Sequence, residues 1–126
     1  MPIKHWLSSK HRNHQVALIL SALLALVIGY FTLTPNPGVI LTSSDKLDHL
    51  IGFAALLFPA ALLYRHALYW VLPSAIVFGG AIELIQPYVN RNSDWGDFWA
   101  DTAGALLGVA IGLLVRHVFR DRIGVQ

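Results

Sequence analysis

The chain has 126 residues, of which 56% are hydrophobic and 13% charged, with nine Lys and Arg, seven Asp and Glu and a net charge of +2. Soluble domains carry about 25% charged residues, and a chain this short has too much surface to cover with half that share. With a mean hydropathy of +0.58, the composition argues against a soluble monomer and for lipid as the solvent. The absence of cysteine removes disulfides, thiolate metal sites and thiol nucleophiles. A pI near 9.2 carries too small a charge excess to imply nucleic acid, and no nucleic-acid partner is expected.

The chain opens on a polar, basic stretch, residues 1–15, with Lys4, Lys10 and Arg12. Val16–Leu33 then gives eighteen residues without a charge, about 27 Å as a helix against a hydrocarbon core of about 30 Å. A cleaved signal would need a shorter apolar run and an Ala-x-Ala site, so a first membrane helix over 16–33 is the better reading. Thr34-Pro35-Asn36-Pro37-Gly38 ends it.

Three more uncharged runs follow, Leu50–Tyr64, Ala67–Ile82 and Thr102–Val115. Each falls short of the roughly 20 residues a span needs, so each must borrow polar neighbours. The predicted helices are 47–64, 67–86 and 97–115. The second takes in Asp48 and His49, the third Glu83 and Gln86, and the fourth Asp97 and Asp101. In an up-down bundle all three borrowings lie at one membrane face. Ser43 or Ser44 suits the cap of the second helix and Ser93 or Asp94 that of the fourth, with acids favourable beside the positive helix ends. Pro59 and Pro73 lie inside predicted helices, where kinks are expected. Pro87 closes the third helix. No internal repeat is evident.

The expected fold is all-α, an integral membrane four-helix bundle. Residues 1–15 form a basic tail, 16–117 the transmembrane domain and 118–126 a second tail. Seven of the nine basic residues (Lys4, Lys10, Arg12, Arg65, Arg116, Arg120, Arg122) fall on one side, and Lys46 and Arg91 on the other. The positive-inside rule then puts both termini in the cytoplasm. Six of the seven acids lie at the opposite, outer end. Trp95 and Trp99 suit an outer aromatic belt, and Trp6 and Trp70 an inner one.

Gly104, Gly108 and Gly112 repeat at intervals of four, a small-residue stripe that admits another helix backbone. It lies on the face of Asp97 and Asp101. It either packs inside the bundle or receives a membrane-protein partner.

Two readings compete for the outer polar groups. Ionisable residues within a span are costly and usually functional, which makes His49, Glu83, Gln86, Arg91, Asp97 and Asp101 the candidate ligand-binding residues, with Asp45, Lys46, Asp48 and Asp94 in support. The alternative is a salt-bridged plug in which Arg91 pairs with Asp97 or Glu83, and Lys46 with Asp48. No cofactor is expected. A Mg²⁺ or Ca²⁺ shell built from one His and three carboxylates is the alternative to that. Nucleophilic catalysis has no Gly-x-Ser-x-Gly to rest on, and Ser93 suits a cap better than a nucleophile. A proton-coupled transporter is disfavoured because the first helix has no ionisable residue. His5, His11 and His14 would sit on anionic lipid.

Read in order, Asp45-Lys46-x-x-His49, Glu83-x-x-Gln86, Arg91 and Asp97-x-x-x-Asp101-Thr102-x-Gly104-x-x-x-Gly108 resemble the VanZ-like family of small multi-helix bacterial membrane proteins. The resemblance covers roughly residues 15–117. That family often has Asn where Asp101 stands, and the extra carboxyl here bears on the charge of any ligand. The resemblance implies a multi-pass protein of the bacterial cytoplasmic membrane with a cell-envelope role linked to teicoplanin tolerance. Its partners would be membrane lipids and a lipid-linked envelope precursor or lipoglycopeptide. It implies a binding protein more than an enzyme. An integral-membrane enzyme acting on lipid-linked substrates and a passive assembly subunit are the other readings.

Overall fold

A computed structural model describes residues 2–35 and 41–123, with side chains from Ser9 to Arg122. The loop at Asn36-Pro37-Gly38, the side chains of Lys4, His5 and Trp6, and residues 124–126 lie outside the described part. The described chain is helical with no strand. It comprises α1 (Pro2–Leu33), α2 (Asp45–Leu63), α3 (Leu68–Ile85) and α4 (Trp95–Ile123), with 3₁₀ turns at Arg65–Ala67 and Gln86–Val89. Each of the four helices is long and apolar enough to cross a membrane, and the chain is a multi-pass membrane protein.

Two helices run well past their predicted ends. α1 starts at Pro2 rather than at residue 16, and α4 continues to Ile123 rather than ending at 115. Neither extension contains a glycine or an internal proline. A helix already nucleated by its apolar span therefore propagates at little cost through residues of fair propensity. Proline is favoured at a helix's first position, which suits Pro2. The polar segments expected as tails are thus continuations of the outer helices.

α2 starts at Asp45 with Ser44 as its cap, the hydroxyl accepting from the Leu47 N–H at 3.4 Å. Asp48 accepts the Thr42 N–H at 2.8 Å and pins the incoming loop. At the far end, Arg116 Nη1 donates to the Leu62 carbonyl at 2.9 Å, satisfying one of the last-turn carbonyls of α2. Asn90, at φ 58, takes the left-handed conformation that ends the second 3₁₀ turn, and both its N–H and that of Arg91 return to the Gln86 carbonyl.

The packing partners fix helix directions. Ser21 meets Leu56 and Gly29's neighbour Ile28 meets Gly52, so α1 runs against α2. Gly104 meets Leu50, Gly108 meets Ala54 and Gly112 meets Phe58 and Ala61, so α2 and α4 run in parallel. Gly79 meets Asp101 and Gly80 meets Phe98, so α3 opposes α4. The start of α1 and the end of α4 consequently share one end of the bundle, where the His14 and Tyr64 rings meet with centroids 4.5 Å apart.

The glycine stripe is taken up within the chain. A Cβ at Gly104 would run into the Leu50 carbonyl, with Leu50 Cα at 2.9 Å; at Gly108 it would do the same at Ala54, with Cα at 2.8 Å. Backbone meets backbone along this seam, which makes α2 the central helix. Phe53, Leu56 and Leu57 of α2 form the buried core with Ala75, Ile82 and Ala105. Large apolar side chains elsewhere face outward, including Leu26, Trp70, Val77, Leu84 and Leu114. In water such a coat would aggregate; against lipid tails it is the expected exterior.

Candidate functional site

One end of the bundle collects the polar residues of three helices. His49 comes from the second turn of α2, Glu83 from the end of α3, Gln86 from the 3₁₀ turn that follows it, and Asp97 and Asp101 from the start of α4. All five are buried, at 4%, 1%, 1%, 2% and 1% exposure respectively. Charged groups are almost never this buried unless paired, and these are only partly so.

His49 Nδ1 lies 2.7 Å from Asp101 Oδ1. In the tautomer that donates from Nδ1, this bond fixes the ring and leaves Nε2 facing Asp97 Oδ2 at 3.9 Å. Lys46 Nζ reaches Asp97 Oδ1 at 3.2 Å and also pairs with Asp94. Glu83 Oε2 accepts the Asp94 N–H at 2.8 Å and the Ser93 hydroxyl at 3.3 Å, so Glu83 holds the turn into α4. Gln86 Nε2 donates to the Thr32 carbonyl at 3.2 Å and ties α3 to the end of α1. Four buried atoms in this cluster have no partner among the described residues: His49 Nε2, Glu83 Oε1, Gln86 Oε1 and Asp101 Oδ2. Gly79 makes room for the Asp101 carboxylate, since a Cβ there would lie 3.0 Å from Oδ2.

Several expected pairings are replaced. Lys46 pairs with Asp94 and Asp97 and not with Asp48, which is turned to the loop at Thr42. Arg91 pairs with neither Asp97 nor Glu83. Its Nη1 donates to the Thr34 carbonyl at 3.2 Å, and its Nη2 lies 3.9 Å from Asp45. The cap of α4 is Asp94, whose Oδ1 accepts the Gly96 N–H at 2.8 Å. Ser93 instead serves Glu83. Asp94 lies outside the spans, and its carboxyl is held below the ordinary value by the Lys46 hydrogen bond, with help from the Gly96 N–H.

Beside the cluster, a cavity of about 480 Å³ opens between α1 and α2. Leu24, Val27, Ile28 and Phe31 of α1 form one wall, and Ile51, Gly52, Phe53 and Ala55 of α2 the other. Asp45, Asp48, His49 and Arg91 close its polar end. Of the six residues expected to contact a ligand, only His49 and Arg91 line this space. Glu83, Gln86, Asp97 and Asp101 stand behind His49, sealed by the helices.

The family model described as a short repeat of unknown function (DUF308) matches residues 47–116. The chain belongs to the DUF308 family. No curated protein and no solved structure matches it. The DUF308 segment begins two residues before His49 and ends at Arg116, so it contains the whole buried cluster and the glycine stripe. α1, with half of the cavity wall, lies outside it.

Sequence reasoning missed the α1 side of the site. The Thr32 and Thr34 carbonyls receive Gln86 and Arg91, and backbone acceptors leave no mark in a sequence. Ser21 was legible in principle as the one hydroxyl in the first half of an apolar run. It is buried, with Oγ donating across to the Leu56 carbonyl at 3.1 Å.

Proposed function

We propose that this DUF308 protein acts as a VanZ-like envelope protein of the bacterial cytoplasmic membrane. It would bind one amphiphile in the cavity between α1 and α2. The observation that carries this reading is the cavity's make-up, with apolar walls from two membrane helices and one end formed by Asp45, Asp48, His49 and Arg91. Ligand sites are commonly concave, mostly apolar and marked by a few convergent polar groups. An acyl chain fits the walls, and a head group bearing both donors and acceptors fits the mixed end. The buried cluster then serves as the support for His49, since it fixes the ring from behind through Asp101.

The orientation in this reading follows from the charge distribution: both termini face the cytoplasm and the polar end opens to the outer leaflet. The VanZ-like resemblance implies that the natural ligands are lipid-linked envelope components. Tolerance to teicoplanin-type lipoglycopeptides is the phenotype to score.

Ala55 is exposed and lines the cavity, so Ala55→Trp fills the space without entering the core. Lipids retained by purified protein would be measured by mass spectrometry after detergent exchange. The wild type should retain a defined amphiphile that Ala55→Trp loses, and Arg91→Gln should alter its head-group profile. Identical lipid profiles for all three proteins would sink the proposal.

A further inference from the structure

We infer that His49, Glu83 and Asp101 form a binding site for a single divalent transition-metal ion of the Mn²⁺ or Zn²⁺ kind, buried where α2, α3 and α4 meet. Each residue brings a ligand atom to within 4.8 Å of those of the other two. Three atoms so spaced can share an ion lying at most about 2.8 Å from each, about 0.6–0.8 Å beyond ordinary bonds from zinc to nitrogen and oxygen. Side-chain adjustment covers that difference.

A cluster of acids alone would prove nothing, because such clusters commonly carry structure. The independent observation is the set of orphaned atoms. Each of the three residues is at least 96% buried, and the two carboxylates each carry an oxygen with no hydrogen-bond partner, Glu83 Oε1 and Asp101 Oδ2. His49 would contribute Nδ1, which already faces Asp101 at 2.7 Å and would exchange that hydrogen bond for the ion, while its Nε2 points toward Asp97. Buried polar groups are nearly always satisfied, and two unpaired carboxylate oxygens beside one imidazole call for a common partner. That partner must accept lone pairs from one imidazole and two carboxylates. A dication does so and also neutralises them, since two carboxylates, a neutral His and a 2+ ion sum to zero. The nearby cations are engaged elsewhere, Lys46 with Asp94 and Asp97, and Arg91 with Thr34 and Asp45.

The donor set selects the ion. Ca²⁺ and Mg²⁺ favour all-oxygen shells, which argues against the oxygen-rich shell suggested by the sequence. An imidazole with two carboxylates suits a borderline ion. The site shares His49 with the cavity's polar end but takes Glu83 and Asp101 from behind it, where neither lines the cavity, so the inference does not depend on what occupies the cavity.

The test uses the full-length chain without a polyhistidine tag, stripped with chelator and titrated in detergent with Mn²⁺ alone. Free and bound Mn²⁺ are read by electron paramagnetic resonance. Roughly one ion should bind per chain, and spin-echo modulation should show coupling to one imidazole nitrogen. That spectrum needs only the wild-type protein, so it stands even if a variant fails to fold. Glu83→Gln and Asp101→Asn should each weaken binding at least about tenfold, whereas Asp45→Asn should change it less than about twofold. Equimolar Ca²⁺ should not displace the Mn²⁺. The inference fails if no stoichiometric binding occurs or if the bound ion shows no nitrogen coupling. It also fails if binding survives Glu83→Gln in folded protein, or if His11→Gln and His14→Gln remove it.

Discussion

Replacing Gly108 with alanine tests the packing on which the site depends. The new methyl would overlap the Ala54 carbonyl and lie 2.8 Å from Ala54 Cα. These are backbone atoms of α2, which cannot rotate aside. Restoring an ordinary carbon–carbon contact of about 3.5–4.0 Å requires α4 to retreat by about 1 Å. Overpacking of this kind costs about 1–3 kcal/mol, and Gly→Ala returns up to about 1 kcal/mol in helix propensity. Because the clash is with backbone, we take the upper part of the range and expect a net loss of about 1–2 kcal/mol. Gly29→Ala is the matched control. Its Cβ would meet Phe78 Cζ at 3.7 Å, an ordinary contact, so it should be neutral or mildly stabilising. Unfolding would be followed by circular dichroism in dodecylmaltoside micelles titrated with dodecyl sulfate. The double variant Gly104→Ala/Gly108→Ala should cost at least about 0.5 kcal/mol less than the sum of the single variants, because one retreat relieves both clashes. If Gly108→Ala matches Gly29→Ala in stability, or if the stripe variants change oligomeric state and leave stability alone, the reading of an internal seam is refuted.

Ser21→Ala removes the buried hydroxyl that donates to the Leu56 carbonyl; interhelical hydrogen bonds in lipid are worth about 0.6 kcal/mol on average, and a loss of that order should appear in the same unfolding assay. Asp94, whose carboxyl is held below its ordinary value of 3.8, should add stability above about pH 4 that fades as pH falls through the lowered folded value. Asp94→Asn keeps the cap but removes the charge, so its melting midpoint should fall less on acidification than that of the wild type; parallel profiles would show that the Lys46–Asp94 pair contributes nothing. The absence of cysteine makes single-cysteine labelling a clean topology test. In intact cells an impermeant maleimide should label Asn92→Cys and not His66→Cys; the reverse pattern would invert the orientation.

What the sequence disclosed and what it withheld have separable physical causes. Charge scarcity and uninterrupted apolar runs disclosed four helices, since each is a property of local composition. The ends of α1 and α4 were misjudged because polarity marks where a span leaves the hydrocarbon, not where helical hydrogen bonding stops. Convergence of His49, Glu83, Gln86, Asp97 and Asp101 was legible because all five were needed at helix ends of one bundle face. Their division of labour was not. Lys46 and Asp48 are two residues apart and therefore project to different faces of α2; Lys46 faces α4 and Asp48 the loop. That choice depends on how α2 is rotated in the bundle. The α1 wall of the cavity was hidden for another reason, since Leu24, Val27, Ile28 and Phe31 are indistinguishable in type from the lipid-facing residues beside them.

The glycine stripe and the acidic cluster are usefully regarded as one device. Gly104 lies three residues beyond Asp101, on the same face of α4, and its backbone rests on Leu50, the residue after His49. The 2.7 Å His49–Asp101 contact therefore exists only because the seam one turn deeper allows two backbones to touch. An alanine at Gly104 would force a separation of about 1 Å, carrying the nitrogen–oxygen distance beyond the 2.7–3.2 Å of a good hydrogen bond. His49 would lose its anchor on the side away from the cavity, and its ring would be free to turn in the polar end of the groove. A stability variant outside the polar cluster should thus also act as a binding variant. Gly104→Ala is expected to weaken amphiphile retention although no atom of Gly104 lines the cavity, whereas Gly29→Ala should leave it unchanged.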